Sequence, residues 1–298
     1  MATLLPRILR RGYGTMSSKP GLLLIGRLQH CQPEWDALGT KYNLLQFQGD
    51  RQQFMEDCQS GTFDGLPKTL KYLGHNGAGY DNIDVQACAA RGIRISNTPK
   101  IVANATADVA MFLILGTLRY AVIPLEANLG IVGMGGIGQA LARRARAFGM
   151  NIIYCNRSRL PEAEEGDAKY VTMDELLQQS DIVSLNLPLT AATQHLISEA
   201  EINKMKDGAI IIYTARGPFL DEEALVKGLE SGKLSSAGLD VYEHEPKIHP
   251  GLVKNKKVML LPHLGTTTVE IKREMELLAI RNLESALDKG ELLTPVEV

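Results

Sequence analysis

An arginine, a glutamate and a histidine occupy comparable places in the second half of the chain, each in or beside a loop. Arg216 stands in "TARG" and His263 in "PHLGTTT", both just past strand-like runs, and Glu245 lies in "DVYEHEP". Arginine pairs with a carboxylate and polarises an adjacent carbonyl, and a protonated histidine gives a proton to the carbonyl oxygen. A neighbouring glutamate raises the histidine pKa and keeps the ring charged. Singly they read as a surface charge, a loop acid and a helix cap; together they predict reduction of a 2-oxo acid.

A glycine-rich turn lies between two strand-like runs in the stretch 129–159. It follows the pattern G-x-G-x-x-G and consists of Gly133, Met134, Gly135, Gly136, Ile137 and Gly138. Glycines allow a tight bend and let backbone N–H groups approach a pyrophosphate at the positive end of a helix. Because a strand precedes the turn and a helix pattern follows it, we interpret it as a dinucleotide site rather than a purely structural turn.

The residues after the second strand predict which dinucleotide binds. Such units usually carry an acid there for the ribose hydroxyls of NAD, but this chain has Asn156, followed by Arg157, Ser158 and Arg159. Asparagine has no charge that repels a phosphate, and guanidinium groups suit the 2′-phosphate of NADP(H). We therefore expect NADP(H) to be preferred and NAD(H) to be the second cofactor. The alternative is that the arginines simply face solvent.

The composition bounds the class of protein. The chain has 298 residues, 45% of them hydrophobic, which is enough for about two domains. A formal net charge of −2 gives no basic field for nucleic acid, and no run approaches the roughly 20 apolar residues of a membrane span. The cysteines are far apart and no Cys/His cluster has zinc-like spacing, so we expect reduced thiols and no metal.

The elements that must hold these residues follow from hydrophobic patterning. Near-continuous apolar runs such as "NIIYC" (151–155), "DIVSLNL" (181–187) and "GAIIIYT" (208–214) alternate with helical patterns. This alternation predicts an α/β fold with parallel strands covered on both faces. The apolar segment 100–119 favours a buried helix that bridges two domains.

The first twenty residues differ from the rest. They are rich in arginine, and the first acid of the chain is Glu34. That composition is typical of an organelle transit peptide, with a disordered tail and a second start at Met16 as the alternative. We expect a cytoplasmic or mitochondrial protein.

Eight motifs together make the chain resemble the D-isomer-specific 2-hydroxyacid dehydrogenases, and within them the fungal glyoxylate/hydroxypyruvate reductases. The motifs, spread from about Leu22 to Val298, are "HNGAGYDNID", "SNTP", "ATADVA", "GIVGMGGIG", "SDIVSLNLPLT", "MKDGAIIIYTARG", "SAGLDVYEHEP" and "LPHLGT". The resemblance implies a Rossmann doubly wound parallel sheet at 101–265 that binds NAD(P). It also implies a smaller flavodoxin-like substrate domain at 21–100 plus 266–298, a small 2-oxo acid substrate and a homodimer.

The resemblance also assigns roles to single residues. His263 is the proton donor, Glu245 its partner and Arg216 the anchor of the substrate carboxylate, whose other side the backbone amides of Ala78 and Gly79 bind. Further positions line the cofactor, with Asp240 near the nicotinamide amide: Thr106, Leu187, Pro188, Thr193, Thr214, Ala215, Asp240, His263 and Gly265. We interpret His195, which matches no such role, as a packed or surface histidine.

Two segments of the family pattern are missing. After "FDG" (63–65) the family continues through a strand and a helix, whereas here Gly65 runs directly into Leu66 and Pro67. A parallel crossover needs a dozen or more residues, so we expect an incomplete substrate domain. After Arg119 only "YAVIPLEAN" (120–128) precedes the first Rossmann strand, in place of an insertion that provides much of the dimer contact in relatives.

Two other functions stay open at this point. Proteins of this fold include dinucleotide-sensing corepressors, and the gaps are compatible with an inactive truncated paralogue or splice product. NADPH binding without turnover would favour the first, and a low, broad melt that NADPH cannot raise would favour the second.

Overall fold

The computed structural model describes residues 19–62, 66–67, 69–121, 123–124, 126–187, 189 and 192–297. Nearly all of the predicted leader, the join at Gly65 and the cofactor candidate Pro188 lie outside these residues. The chain divides into two compact units: unit 1 is Met1–Ile101 with Thr268–Val298, and unit 2 is Val102–Thr267.

The regular elements of the described residues are short in unit 1 and longer in unit 2. The strands are β1 (Gly21–Leu24), β2 (Asn43–Gln46), β3 (Tyr72–Gly74), β4 (Arg94–Ser96), β5 (Asn128–Val132), β6 (Asn151–Cys155), β7 (Lys169–Tyr170), β8 (Ile182–Leu185), β9 (Ala209–Tyr213), β10 (Leu234–Leu239) and β11 (Val258–Leu260). The α-helices are α1 (Gln32–Ala37), α2 (Arg51–Ser60), α3 (Val85–Ala90), α4 (Ala103–Ala121), α5 (Gly136–Arg146), α6 (Glu162–Glu165), α7 (Met173–Gln179), α8 (Glu199–Lys204), α9 (Glu222–Glu230), α10 (Pro250–Lys254) and α11 (Val269–Lys289).

Unit 2 is built on one parallel sheet of seven strands. Their order is β11-β10-β9-β8-β5-β6-β7, and all neighbouring strands pair in parallel. From β5 the chain builds outward through β6 and β7, then returns to the other side of β5 and continues through β8. In such sheets ligands bind in the crevice outside the carboxyl ends of the strands where the order reverses, which is here between β5 and β8. The doubly wound parallel fold is confirmed.

Apolar residues on both faces of this sheet explain its stability. All five residues of β9 are buried, because helices cover the sheet on each side. Leu113 and Ile114 of α4 pack with Leu141 of α5 on one face, and Leu176 of α7 packs with Leu225 of α9 on the other. Among the residues that the structure describes, no helix combines the length and apolarity needed to cross a lipid bilayer.

Unit 1 contains two separate sheets of two parallel strands, β1 with β2 and β3 with β4. In the described part of the chain, no strand joins the two pairs. The long helix α11 contributes Ile280 to the apolar cluster around Leu22 and Trp35. Its Glu276 carboxylate also accepts the backbone N–H groups of residues 29, 30 and 31 at 2.8, 2.9 and 2.9 Å. Unit 1 therefore depends on its helix more than on a continuous sheet.

Candidate active site

Three neighbouring strands of unit 2 deliver the predicted catalytic residues to one edge of the sheet. Arg216 follows the end of β9, the loop with Glu245 follows β10, and His263 follows β11. These strands lie side by side in the order β9-β10-β11. Because parallel strands end at the same edge, residues far apart in sequence come together here.

His263 and Glu245 form a direct pair. The ring Nδ1 lies 2.9 Å from Glu245 Oε2, and the other carboxylate oxygen accepts the backbone N–H of Tyr242 at 3.0 Å. The Tyr242 hydroxyl in turn donates to the carbonyl of Leu261 at 2.7 Å, which ties the two loops together. With Nδ1 held by the carboxylate, Nε2 is the nitrogen that can exchange a proton with a ligand.

The environment of the pair favours the charged imidazolium. The hydrogen bond with Glu245 raises the pKa of His263 above its usual 6.5, against burial and the Arg216 charge, which lower it. Burial alone would raise the pKa of Glu245, but the His263 hydrogen bond and the Tyr242 N–H outweigh it, so that pKa is lowered from its usual 4.5. Both shifts favour the imidazolium carboxylate form of the pair, which is the form that a proton donor requires.

Asp240 holds the turn that follows His263. Its two oxygens accept the backbone N–H groups of Leu264 at 2.6 Å and Gly265 at 2.7 Å. His263 itself has a φ of 55°, a left-handed backbone conformation that residues other than glycine rarely adopt and that surrounding contacts must maintain. Thr106 Oγ1 donates to the carbonyl of Gly265 at 3.3 Å. Asp240, Thr106 and Gly265 thus act together on the backbone next to His263, and the roles of His263 as proton donor and of Asp240 at the nicotinamide stay predictions.

Arg216 lies close enough to the pair to affect both partners. Its charge lowers the pKa of Glu245 and that of His263. One guanidinium nitrogen donates to the carbonyl of Ala215 at 2.9 Å, and the side chain is half-buried. An arginine in this position can hold a carboxylate beside the proton donor.

The glycine turn after β5 has the geometry of a phosphate cradle. Gly133 has a φ of 98°, and a Cβ on Gly138 would lie 2.3 Å from the Gly133 carbonyl oxygen, so only glycine allows helix α5 to approach the strand this closely. At Gly135, in contrast, a Cβ would meet nothing within 4 Å. Gly135 is the N-cap of α5 and supplies no side-chain cap, which leaves backbone N–H groups at the helix start for an anion.

Two buried side-chain oxygen atoms of unit 2 have no hydrogen-bond partner among the described residues. They are Asn186 Oδ1 and Thr214 Oγ1, and they follow the paired ends of β8 and β9. Buried polar atoms are normally satisfied, so these two favour a polar ligand at the crevice. Thr214 and its buried neighbour Ala215 were expected to line the cofactor, as was Leu187, whose side chain lies 2.8 Å from a Cβ built on Gly133. Thr193 lies in a turn after β8, and its role stays a prediction.

The loop after β6 changes the interpretation of one arginine. Asn156 Oδ1 accepts the backbone N–H of Met134 at 2.7 Å, which joins this loop to the glycine turn. Arg157 and Ser158 are exposed. Arg159, however, binds the buried carboxylate of Glu165, with one nitrogen 2.8 Å from Oε2 and Nε 2.9 Å from Oε1. We expected Arg159 either to bind the 2′-phosphate or to face solvent, and its ion pair with Glu165 was not predicted.

In unit 1, the expected substrate amides lie in a loop whose carbonyls are held by side chains. Asn97 Nδ2 donates to the Ala78 carbonyl at 2.7 Å, and His75 Nε2 lies 2.8 Å from the Gly79 carbonyl. A trans peptide points its N–H opposite to its carbonyl, so the Asn97 bond fixes the direction of the Gly79 N–H. Substrate binding by Ala78 and Gly79 stays a prediction.

Sequence reasoning missed Asn186, Tyr242 and Asn97. Asn186 carries a visible signal, since it is a polar residue directly after a buried strand, whereas Tyr242 and Asn97 act through backbone contacts that no pattern reveals. His195, interpreted as packed or surface, has a half-exposed ring whose Nε2 lies 2.6 Å from Glu243 Oε1. In the described part of the chain, no group of three or more His, Cys, Asp or Glu residues could hold a metal ion.

Comparisons with known proteins agree with this geometry. Residues 124–265 match the family model of the D-isomer specific 2-hydroxyacid dehydrogenase, NAD binding domain. The chain is 49% identical to 4-methyl-2-oxopentanoate reductase A of Aspergillus oryzae, over 93% of this chain and 98% of the relative. That alignment runs over 321 residues, more than the 298 residues of this chain, so it must open gaps in it.

Solved structures give the same result. The crystal structure of a glyoxylate reductase from Paecilomyes thermophila superposes with a TM-score of 0.86 at 50% identity, covering 94% of this chain and 99% of that one. An NADPH-dependent glyoxylate/hydroxypyruvate reductase from Sinorhizobium meliloti, in complex with NADP and malonate, superposes with a TM-score of 0.81 at 29% identity, covering 94% and 97%. The chain belongs to the D-isomer-specific 2-hydroxyacid dehydrogenase family.

Proposed function

We propose that this protein reduces a small 2-oxo acid, such as glyoxylate, hydroxypyruvate or a relative of these, to the D-2-hydroxy acid with hydride from NADPH. The observation that carries the proposal is the His263–Glu245 pair, 2.9 Å apart, at the same sheet edge as Arg216. Family membership supplies the reaction class, that of NAD(P)-dependent oxidoreductases acting on a CH–OH group. The pair and the arginine supply the residues that carry it.

The chain's own residues can perform three tasks in this reaction. Arg216 binds the substrate carboxylate and orients the adjacent carbonyl. His263 Nε2 donates a proton to the carbonyl oxygen as the negative charge develops there. Glu245 holds the ring through Nδ1 and stabilises its charged form. The dinucleotide, when bound, supplies the hydride that reaches the carbonyl carbon.

The residues of unit 2 fit a nicotinamide dinucleotide. The open space at Gly135 and the uncapped start of α5 suit the pyrophosphate. The unpartnered oxygens of Asn186 and Thr214 suit polar groups of the ligand. We assign the cofactor to this crevice on those observations.

The preference for NADPH rests on the loop after β6. Asn156 stands where an acid would bind the ribose hydroxyls, and its uncharged side chain accepts a hydrogen bond from the glycine turn instead. Among the described residues, the exposed Arg157 makes no hydrogen bond or ion pair, and Ser158 beside it offers a hydroxyl. Arg157→Met should therefore weaken NADPH binding far more than NADH binding, and equal losses would contradict the preference.

The inactive-truncation alternative also has an observation in its favour. The two separate sheets of unit 1 are what a missing strand between β1 and β3 would produce. The family homodimer depends on a segment that is expected to be absent after Arg119, so a dimer is proposed here only on family grounds. A cytoplasmic or a mitochondrial location is likewise a proposal from the composition of the first twenty residues.

The test is a turnover assay with the purified full-length chain. NADPH oxidation is followed by absorbance with glyoxylate, hydroxypyruvate and an aromatic 2-oxo acid, with NADH in parallel. Because glyoxylate gives the achiral glycolate, the products of hydroxypyruvate and of the aromatic 2-oxo acid are the ones resolved by chiral chromatography. We expect turnover of at least one substrate, a D-configured product and a preference for NADPH. Binding of NADPH without turnover of any 2-oxo acid would contradict the proposed reaction, and an L-configured product would contradict its stereochemistry.

A further inference from the structure

The loop after β6, residues 156–160, is fixed at both ends and free in the middle. At its start, Asn156 accepts the Met134 N–H, and the Asn156 carbonyl accepts the Tyr170 hydroxyl at 3.2 Å. At its end, the Leu160 N–H donates to the Tyr154 hydroxyl at 3.0 Å. Arg157 and Ser158 lie exposed between these attachments.

A buried carboxylate organises the far end of this loop. Glu165 is 4% exposed and belongs to the short helix α6, while Tyr154 of β6 is completely buried. The Tyr154 hydroxyl donates to Glu165 Oε1 at 2.6 Å, and Arg159 donates to both carboxylate oxygens. A fork-to-carboxylate contact of this kind fixes the geometry of both groups. The Arg159 and Tyr154 bonds lower the pKa of Glu165, so it is ionised near neutral pH.

We propose that Glu165 is a positioning residue for cofactor selection: by holding Arg159 and Tyr154, it fixes loop 156–160 in the shape that presents Arg157 and Ser158 to a 2′-phosphate. The inference rests on the proposed NADPH preference and extends it to a side chain that does not itself touch the cofactor. Glu165 also neutralises Arg159, so that the charge available to the phosphate is that of Arg157.

Direct binding of the phosphate by Arg159 would predict the opposite effect of removing the Glu165 charge. If Arg159 itself bound the phosphate, then Glu165 would compete for its guanidinium, and removing the Glu165 charge would release the arginine and strengthen phosphate binding. If Glu165 positions the loop, the same change loosens the loop and weakens phosphate binding. The sign of a single measured change therefore separates the two roles.

The chain offers a matched control. Glu164 precedes Glu165 in α6, carries the same charge and is exposed, with one contact to Gln139 at 3.2 Å. Glu164→Gln removes one negative charge from the neighbouring position of the same helix but leaves the Arg159 and Tyr154 bonds to Glu165 in place. Any general electrostatic effect on an anionic ligand appears in both variants.

The experiment measures binding of 2′,5′-ADP and of AMP by calorimetry with wild type, Glu165→Gln and Glu164→Gln. The two probes differ in the 2′-phosphate, and neither requires catalysis. For Glu165→Gln we expect 2′,5′-ADP to bind about tenfold more weakly, as the loss of charged hydrogen bonds that order a site would produce, and AMP to change less than about twofold. Glu164→Gln should bind both probes like wild type.

Three outcomes would overturn the inference: tighter 2′,5′-ADP binding by Glu165→Gln, equal behaviour of the two variants, or equal loss of both probes. A wild-type chain that binds AMP and 2′,5′-ADP equally would instead contradict the NADPH preference itself. If Glu165→Gln does not fold, as judged by circular dichroism, Tyr154→Phe decides. This variant lacks the hydroxyl that donates to the buried Glu165 carboxylate, and we expect it to lose affinity for 2′,5′-ADP but not for AMP. The absence of such a selective loss would overturn the inference.

Discussion

The charge of the His263 ring depends on one neighbour. Its pKa is raised chiefly by the hydrogen bond to Glu245 and lowered by burial and by Arg216. Reduction needs the protonated ring, so the rate is highest below the His263 pKa and falls as the pH rises through it. Because this pKa is raised, the fall occurs at a pH above the usual histidine value of 6.5. Glu245→Gln removes the main raising cause and leaves the two lowering causes. We expect this alkaline fall in kcat/KM to move to lower pH, since that parameter reports the free enzyme.

The control for this pH shift lies in the same loop. Glu243 binds His195 and accepts the N–H of Glu222 at 3.3 Å, and it forms no hydrogen bond or ion pair with His263. Glu243→Gln therefore removes an equal charge two residues away. An alkaline limb at the same pH in the Glu245 and Glu243 variants would show that Glu245 does not set the His263 pKa.

His263 should carry the proton transfer itself. General acid catalysis contributes roughly 10²- to 10⁴-fold to a rate, so His263→Ala should lower kcat by about that factor. The glycine turn and loop 156–160, to which we assign the pyrophosphate and the ribose phosphate, do not include this side chain, so NADPH should still bind, as calorimetry can measure. His244→Ala, an exposed histidine of the neighbouring loop, is the control and should keep its activity. Near-normal turnover of His263→Ala would end the assignment.

At the scale of elements, two glycines of the turn have different roles: Gly138 allows α5 to pack on β5, and Gly135 leaves space for a ligand. A Cβ on Gly138 would collide with the Gly133 carbonyl, so Gly138→Ala must push α5 away from β5. We expect a loss of about 2 kcal/mol in the free energy of unfolding. A Cβ on Gly135 enters open space, and its φ of −79° suits any residue, so Gly135→Ala should fold with nearly unchanged stability.

The same two variants differ in ligand binding for different reasons. Gly135→Ala places a methyl group in the space that we assign to the pyrophosphate, so we expect NADPH to bind about tenfold more weakly or worse. Thermal melts and calorimetry on both variants measure the two effects. Unchanged NADPH affinity in Gly135→Ala would show that the pyrophosphate does not use this turn.

Elements of unit 2 were predictable because burial on both sides of a parallel sheet leaves a continuous apolar run. The run 151–155 coincides with β6, whereas "DIVSLNL" overestimates β8, which ends at Leu185, because the chain turns at Asn186. The two-residue strand β7 has no such run and was missed. Chain order placed Arg216, Glu245 and His263 after strands, but the Arg159–Glu165 contact was not predictable, because an acidic run such as "PEAEEGD" usually faces solvent.

At the scale of the whole molecule, the two units differ in how they are stabilised. Unit 2 has one sheet of seven strands between two apolar clusters. Unit 1 has two sheets of two strands, and sheets of that size are marginal without further packing. We expect a strand and a helix of the family pattern to be missing after Gly65, and a strand supplied at that join would be a candidate for a common partner of β1 and β3. We therefore expect unit 1 to be the less stable unit in this chain.

The single tryptophan makes this difference measurable. Trp35 is buried in the apolar cluster of unit 1 that includes residues of α11, so its fluorescence reports on unit 1. Far-ultraviolet circular dichroism reports mainly on the larger unit 2. On heating, we expect Trp35 to become exposed at a lower temperature than the main loss of circular dichroism. NADP⁺, which binds unit 2 in our proposal, should raise only the second transition.

The size of this shift follows from binding linkage. NADP⁺ at a hundred times its dissociation constant adds about 2.7 kcal/mol to the stability of the unit that binds it, which corresponds to a rise of about 5 to 10 °C for a domain of this size. Gly135→Ala is the control, since its weakened cofactor site should reduce the rise without moving the Trp35 transition. A single transition in which Trp35 fluorescence and circular dichroism coincide, and in which NADP⁺ shifts both equally, would show that the two units unfold together and that unit 1 does not limit the stability of the chain.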